Sequence, residues 1–254
     1  MNLAIDASWV AGFLFGLARM GGFVAASPIY GKSLPVVGRI AMSLALGLWL
    51  AQPVEGPLTL ATVVTSTFVN VAVGLVLAFV TGLVFHLFEV AGGALDLNAG
   101  LSIAQIFDPT SGSHAGVFAR MFRMVALAIF LVIGGDRMLI HGLGLSTDLV
   151  PLTGSISLDP GIGRMVVDSV GTFLLAGIEL AAPALVALFL AEIALGMAAR
   201  FAPQANVFLI GIPLKLLITF AVVGPLMLLF PTHVGNAAES MVRTMSSVLR
   251  LLGG

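Results

Sequence analysis

The stretch Arg200-Phe-Ala-Pro203-Gln204-Ala-Asn206-Val-Phe208-Leu-Ile-Gly211-Ile-Pro213-Leu-Lys215 sets a polar, proline-broken turn between two long apolar runs. Two cations, an amide pair and two prolines stand where hydrocarbon would tolerate none of them. Lipid offers no partner to a freed backbone group, so such a break must be buried in protein or line a water-filled path. The apolar runs on either side cover Met165–Ala199 and Val207–Phe230. The chain therefore reads as an all-α membrane protein whose irregular parts matter as much as its spans.

Composition agrees. Charged residues make up 9% of the 254, apolar ones 59%, and a soluble domain of ordinary make-up carries about a quarter charged residues. The net charge of -1 gives no electrostatic reason to expect nucleic acid as a partner. With no cysteine, disulfides and thiolate metal sites are excluded. The N-terminus, Met1-Asn-Leu-Ala-Ile-Asp6, lacks the basic region of a cleaved signal, so the first apolar run is expected to be retained.

Six apolar regions follow one another: Ala7–Ala26, Ile40–Ala51, Thr62–Ala91, Val117–Gly134, Met165–Ala199 and Val207–Phe230. The first is interrupted by Arg19 and carries Gly12-x-x-x-Gly16, a spacing that admits a close neighbouring helix. The second is short of the roughly 20 residues a span needs, and the third is longer than one requires. Pro183 lacks a backbone donor and is expected to kink or split the fifth. Gly92–Gly116 reads as a glycine-rich loop and Gly135–Arg164 as a polar stretch. After Pro231, Met241, Met245, Val248 and Leu252 mark one helical stripe, with Arg243 and Arg250 off it. This tail reads as an amphipathic helix at an interface or on a partner subunit. Loop cations do not orient the chain: Lys32, Arg39, Arg120, Arg123 and Arg200 on one side face Arg137, Arg164, Arg243 and Arg250 on the other.

Candidate chemistry is sparse. His86 and Glu89 stand three apart on one helix face, as a proton relay, half a metal site or a hydrogen-bonded pair buried between helices. Glu179 and Glu192 flank Pro183; they serve either proton coupling or structural pairing with Arg200, Arg120 or Arg123, the latter being favoured. Arg120 and Arg123 share a face and need compensation from neighbours. Asn98-Ala-Gly100-Leu101-Ser102-Ile103-Ala-Gln105-Ile106-Phe107-Asp108-Pro109 is too apolar for a solvated linker. It suits a movable apolar plug and a fixed re-entrant turn equally. Ser111-Gly-Ser113-His114 has no third group to orient it, so it is read as loop.

At these residues the chain resembles the FliR family of flagellar export-gate proteins, whose virulence counterparts are SctT-like. The N-terminal match runs through Arg19, Ser27-Pro28-Ile-Tyr-Gly31, Pro35 and Arg39. The central match comprises Glu89-Val-Ala-Gly92, Asp96, Gly100 and Phe107-Asp108-Pro109, then Ala119-Arg120-Met121 and Leu139–Pro151 with Ser146. The C-terminal match takes in Pro183, Gly196, Arg200, Pro203, Gln204, Asn206, Phe208, Gly211, Pro213 and Lys215. Gly135-Asp136-Arg137 departs from the family pattern.

The resemblance implies an all-α polytopic protein with long, broken helices and hairpins, assembled into a helical export gate in the bacterial inner membrane. It implies a FliP-like portion over 1–164, a FliQ-like hairpin over 165–230 and a C-terminal amphipathic helix over 231–254. It implies FliP-like and FliQ-like subunits, an FlhB-like switch protein and the flagellar basal body as partners, with unfolded export substrates passing through. It makes residues 100–113 the plug loop, with Ile106 and Phe107 near its tip, and implies no cofactor and no catalysis. Arg19, Pro28, Arg39, Glu89, Arg120, Arg123, Glu179, Pro183, Glu192, Arg200, Pro203, Gln204, Asn206, Gly211, Pro213 and Lys215 become packing and assembly residues. Two rivals remain on the residues alone. One is an independent proton-coupled transporter of a small solute using His86, Glu89, Glu179 and Glu192; the other is a hydrolase at Ser111–His114.

Overall fold

The structure is a computed structural model that describes residues 6–31, 34–101, 116–157, 159–201 and 207–253. Its described residues form helices α1 (Ala7–Ala26), α2 (Val36–Leu50), α3 (Leu60–Asn98), α4 (Val117–Val132), α5 (Gly135–Leu149), α6 (Pro160–Phe201), α7 (Val207–Met227) and α8 (Phe230–Gly253), with no strand among them. Four of these, α1, α3, α6 and α7, are long and apolar enough to cross a membrane, or five spans result if α4 and α5 are one broken span. The protein is an all-helical, multi-pass membrane protein. α2, with 15 residues, is about 22 Å long and falls short of the roughly 30 Å hydrocarbon core.

Local sequence explains the boundaries. Asp6 caps α1 by accepting the Ser8 N–H at 3.0 Å, and Ser27 ends it immediately before Pro28. Gly134, with φ 79°, adopts the left-handed conformation between α4 and α5, where a side chain would be strained. Asp159 and Pro160 supply the N-cap and first position of α6.

Three expectations change. α3 runs on through Gly92 to Asn98, so the central loop starts later than its glycines suggest. The polar stretch contains a helix, α5, because Leu139, Leu143 and Ser146 recur on one face and are buried. Pro183 does not split the fifth region: α6 is continuous over 42 residues, with Leu180, Ala181 and Ala184 packed around the proline's turn.

The helices divide into two compact units. The first holds Met1–Leu83, Gly134–Ser169 and Ala238–Gly254. Here α1 and α2 cross closely, Gly16 lying against the backbone of Gly47 and Gly12 against that of Gln52. The stripe of α8 closes this unit from within. Met241, Met245, Val248 and Leu252 are buried, and Gly142 of α5 lies under the Met245 sulfur. Leu252 O accepts the Ser157 N–H at 2.8 Å. The tail's apolar face is therefore covered by the chain's own helices rather than left for a partner subunit.

The second unit holds Val84–Ile133 and Val170–Ala237. Its core is a phenylalanine cluster. Phe85 meets Phe130 at 5.4 Å, Phe122 meets Phe230 at 4.9 Å, and Phe88 meets Phe230 at 5.4 Å between ring centroids.

Candidate functional site

The central loop is rooted at both ends by one residue, Asp96. At the end of α3, Gly100 takes φ 82°, its N–H bonds Leu97 O at 3.3 Å, and the Leu101 N–H bonds Asp96 O at 3.0 Å. This is a Schellman stop, with glycine at the left-handed position. On the far side of the loop, α4 begins after Gly116 with no cap from its own sequence. The Asp96 side chain supplies it. Its Oδ1 accepts the Phe118 N–H at 3.0 Å and its Oδ2 the Ala119 N–H at 2.9 Å. A carboxylate at a helix N-terminus satisfies orphan donors and complements the helix dipole. Gly116 lies against that carboxylate and Gly92 against the Phe118 backbone, so a side chain at either would push the two helices apart. Asp96 is 1% exposed. The two stems of the 102–115 segment are thus held together by a buried, charge-assisted joint.

In the first unit, Arg19 builds a second polar knot. It is fully buried. Its Nε donates to Asn70 Oδ1 at 2.9 Å, its Nη1 to Ser146 O at 2.6 Å and Ser146 Oγ at 3.1 Å, and its Nη2 to Val150 O at 2.8 Å. Asn70 in turn donates to Ser66 O and Leu152 O, both at 2.7 Å. Ser146 O and Val150 O stand at the C-terminal end of α5, where the dipole favours a cation; Ser146 O also accepts the Val150 N–H at 3.1 Å, while Val150 O lies past the last turn of the helix. The guanidinium ties α1, α3 and α5 together through amide, carbonyl and hydroxyl oxygens, with no carboxylate among these acceptors.

The α6–α7 pair carries the C-terminal motif. Lys215 Nζ meets Glu192 Oε1 at 3.0 Å, and Gly211, one turn earlier on α7, lies against Leu195 of α6. Gly211 and Lys215 therefore share the face that α7 turns to α6.

With this geometry in place, comparison with known proteins identifies the frame. The family described as "Bacterial export proteins, family 1" matches residues 10–241. The chain belongs to this family. It is 26% identical over 259 residues to the flagellar biosynthetic protein FliR of Bacillus subtilis (strain 168), which covers 100% of this chain and 99% of that one. It is 29% identical over 160 residues to the surface presentation of antigens protein SpaR of Shigella sonnei, covering 61% and 60% of the two chains. It is 31% identical over 150 residues to Yop proteins translocation protein T of Yersinia pestis, covering 58% and 56%.

Placed on this export-family chain, the remaining candidates behave as follows. Glu192 pairs with Lys215 rather than with Arg200, Arg120 or Arg123. Glu179 is exposed, with no ion pair among the described residues. Arg200 is exposed in the last turn of α6, where a cation suits the helix C-terminus. Arg120 and Arg123 lie in the first two turns of α4. His86 Nδ1 and Glu89 Oε2 are 3.1 Å apart, but the His86 side chain is 65% exposed, so this is no pair buried between helices. No group of three His, Asp or Glu residues placed to hold a metal occurs among the described residues. Pro28 sits in the turn closed by the Gly31 N–H on Ser27 O at 2.7 Å. In that turn burial, and then the Asp136 carboxylate, pushes the Tyr30 phenol above its usual pKa. Arg39 lines a groove between α1 and α2. Ser102, Ile103, Gln105, Ile106, Phe107, Asp108, Pro109, Pro203, Gln204 and Asn206 lie outside the described residues, as does Ser111–His114.

Sequence reasoning passed over Asn70 and gave Asp96 no role of its own. Asn70 is the one amide inside the third apolar run, which was the available signal. The cap made by Asp96 spans 22 residues, beyond the three-residue reach of a capping box.

Proposed function

We propose that this export-family member is the gate subunit of a flagellar or type III protein export channel in the bacterial inner membrane, and that residues 100–113 form its plug. The chain is a subunit of an export apparatus of that broad kind by family. The finer reading adds three elements: assembly with FliP-like and FliQ-like subunits and an FlhB-like switch protein, passage of unfolded substrates, and a FliQ-like hairpin over 165–230. Catalysis and cofactors have no place in it.

The observation that carries the plug is the Asp96 joint. A plug must close a path to ions at rest and yield to a polypeptide without unravelling the helices that hold it. A segment rich in isoleucine, leucine and phenylalanine excludes water. Stems tied by a buried carboxylate to two backbone amides let it move while α3 and α4 stay fixed. Water exclusion needs no side-chain chemistry, and the chain's sparse titratable groups suit that role.

The test is deletion of Ser102–Phe107, which leaves both stems intact. The complex is expected to assemble at wild-type yield and to conduct small ions across a planar bilayer at rest. A resting conductance equal to wild type in an assembled deletion complex would remove the plug from the reading.

A further inference from the structure

α1 and α2 run antiparallel, and their crossing opens a groove of about 400 Å³. Leu17, Gly21, Val24 and Ala25 line it from α1, and Val36, Arg39, Ile40, Ser43 and Leu44 from α2. The lining is apolar except for Ser43 and Arg39. Ser43 spends its hydroxyl on Arg39 O at 2.8 Å. The Arg39 Nε is shielded from solvent and has no hydrogen-bond partner among the described residues. A buried donor without an acceptor costs about 1–3 kcal/mol, so this groove is incomplete as it stands.

We propose that the groove holds an anionic phospholipid, with its phosphate on Arg39 and an acyl chain along the floor at Gly21. Two observations select this occupant. First, the groove has one cation and no acid in its lining, which complements one phosphate. Second, the cation is at the correct depth. Arg39 lies across from Val24 and Ala25, at the end of the α1 span, while Leu44 lies about 8 Å and Leu17 about 12 Å further in along the helices. A lipid has that polarity: charge at the interface, hydrocarbon below it. The proposal rests on the membrane character of the chain and is independent of the plug.

The test uses the full-length chain purified in detergent, incubated with phosphatidylglycerol or with phosphatidylcholine of the same acyl chains, and read by native mass spectrometry. The chain is expected to retain phosphatidylglycerol about fivefold better, the size of effect one arginine exerts near an anionic surface. Arg39→Gln should bring the two lipids level, and Arg39→Lys should keep the preference. Gly21→Leu should reduce retention of both lipids; a Cβ at Gly21 meets nothing within 4 Å, so the substitution fills the groove without disturbing the fold. Equal retention of the two lipids by the unaltered chain would overturn the proposal, as would an undiminished preference in Arg39→Gln. A photo-crosslinker at Ile40 that captures a protein instead of lipid, in membranes carrying the whole apparatus, would assign the groove to a partner helix and also overturn it.

Discussion

A buried arginine without a carboxylate is an unusual way to join three helices, and Arg19 shows what makes it tolerable. The charge is spread over a planar fork whose N–H groups are matched to oxygens of Asn70 on α3 and of Ser146 and Val150 at the end of α5. Removing the fork would strand Val150 O and Asn70 Oδ1 in a dry interior. Arg19→Met is expected to cost about 3–5 kcal/mol, a large share of an ordinary domain's stability. Arg19→Lys should recover only part, since an ammonium cannot reach Asn70 on α3 and both Ser146 and Val150 at the end of α5 at once. Thermal melting of the detergent-solubilised chain would show this; a melting temperature for Arg19→Met within a degree or two of wild type would contradict it. This site was half legible. An arginine inside an apolar run announces a polar knot, but its partners come from residues 51 and 127 positions away, which spacing does not reveal.

Among elements, a close neighbour for α1 was legible but not that it is α2, and the existence of α5 was not legible. Gly12-x-x-x-Gly16 is a common spacing, yet here both glycines meet backbone of the next segment, and Gly47 lies against the Leu17 Cα. Gly47→Leu is expected to force the helices apart at a cost of about 1–3 kcal/mol. Gly93→Leu, where nothing stands within 4 Å, serves as the neutral comparison. The measurement is the difference in melting temperature between the two variants, and equal values would show that the crossing adapts freely. α5 was hidden by its polar residues: Asp136, Arg137, His141 and Asp148 outweigh the apolar stripe in any reading by hydropathy. Periodicity was the better guide, because Leu139, Leu143 and Ser146 fall on one face and that face is the buried one. Pro183 misled in the opposite direction. A proline removes one hydrogen bond, and in α6 the buried turn around it keeps the helix continuous.

On the scale of the whole molecule, chain order and spatial order part company. The first unit draws its helices from the beginning, the middle and the end of the sequence, so no boundary in composition marks it. Class and membrane character follow from composition because they depend on totals. The units do not, because they depend on which faces meet. The tail is the case in point. Its stripe alone is compatible with docking onto another subunit, but Met241, Met245 and Leu249 are 0% exposed within the chain. If α8 is part of the first unit's core, its loss must destabilise the isolated protein and not merely its assembly. Leu249→Ala and Met245→Ala should each lower stability by about 2–5 kcal/mol. Truncation at Ala238 should abolish accumulation of the folded chain, since several large apolar side chains, each worth about 1.5–3 kcal/mol, would leave the core together. The chain is to be expressed without any other export component and followed by protease resistance and melting. A helix that served only a partner would leave both readouts at wild-type values while abolishing co-purification with the apparatus. That outcome would return α8 to the role its sequence first suggested.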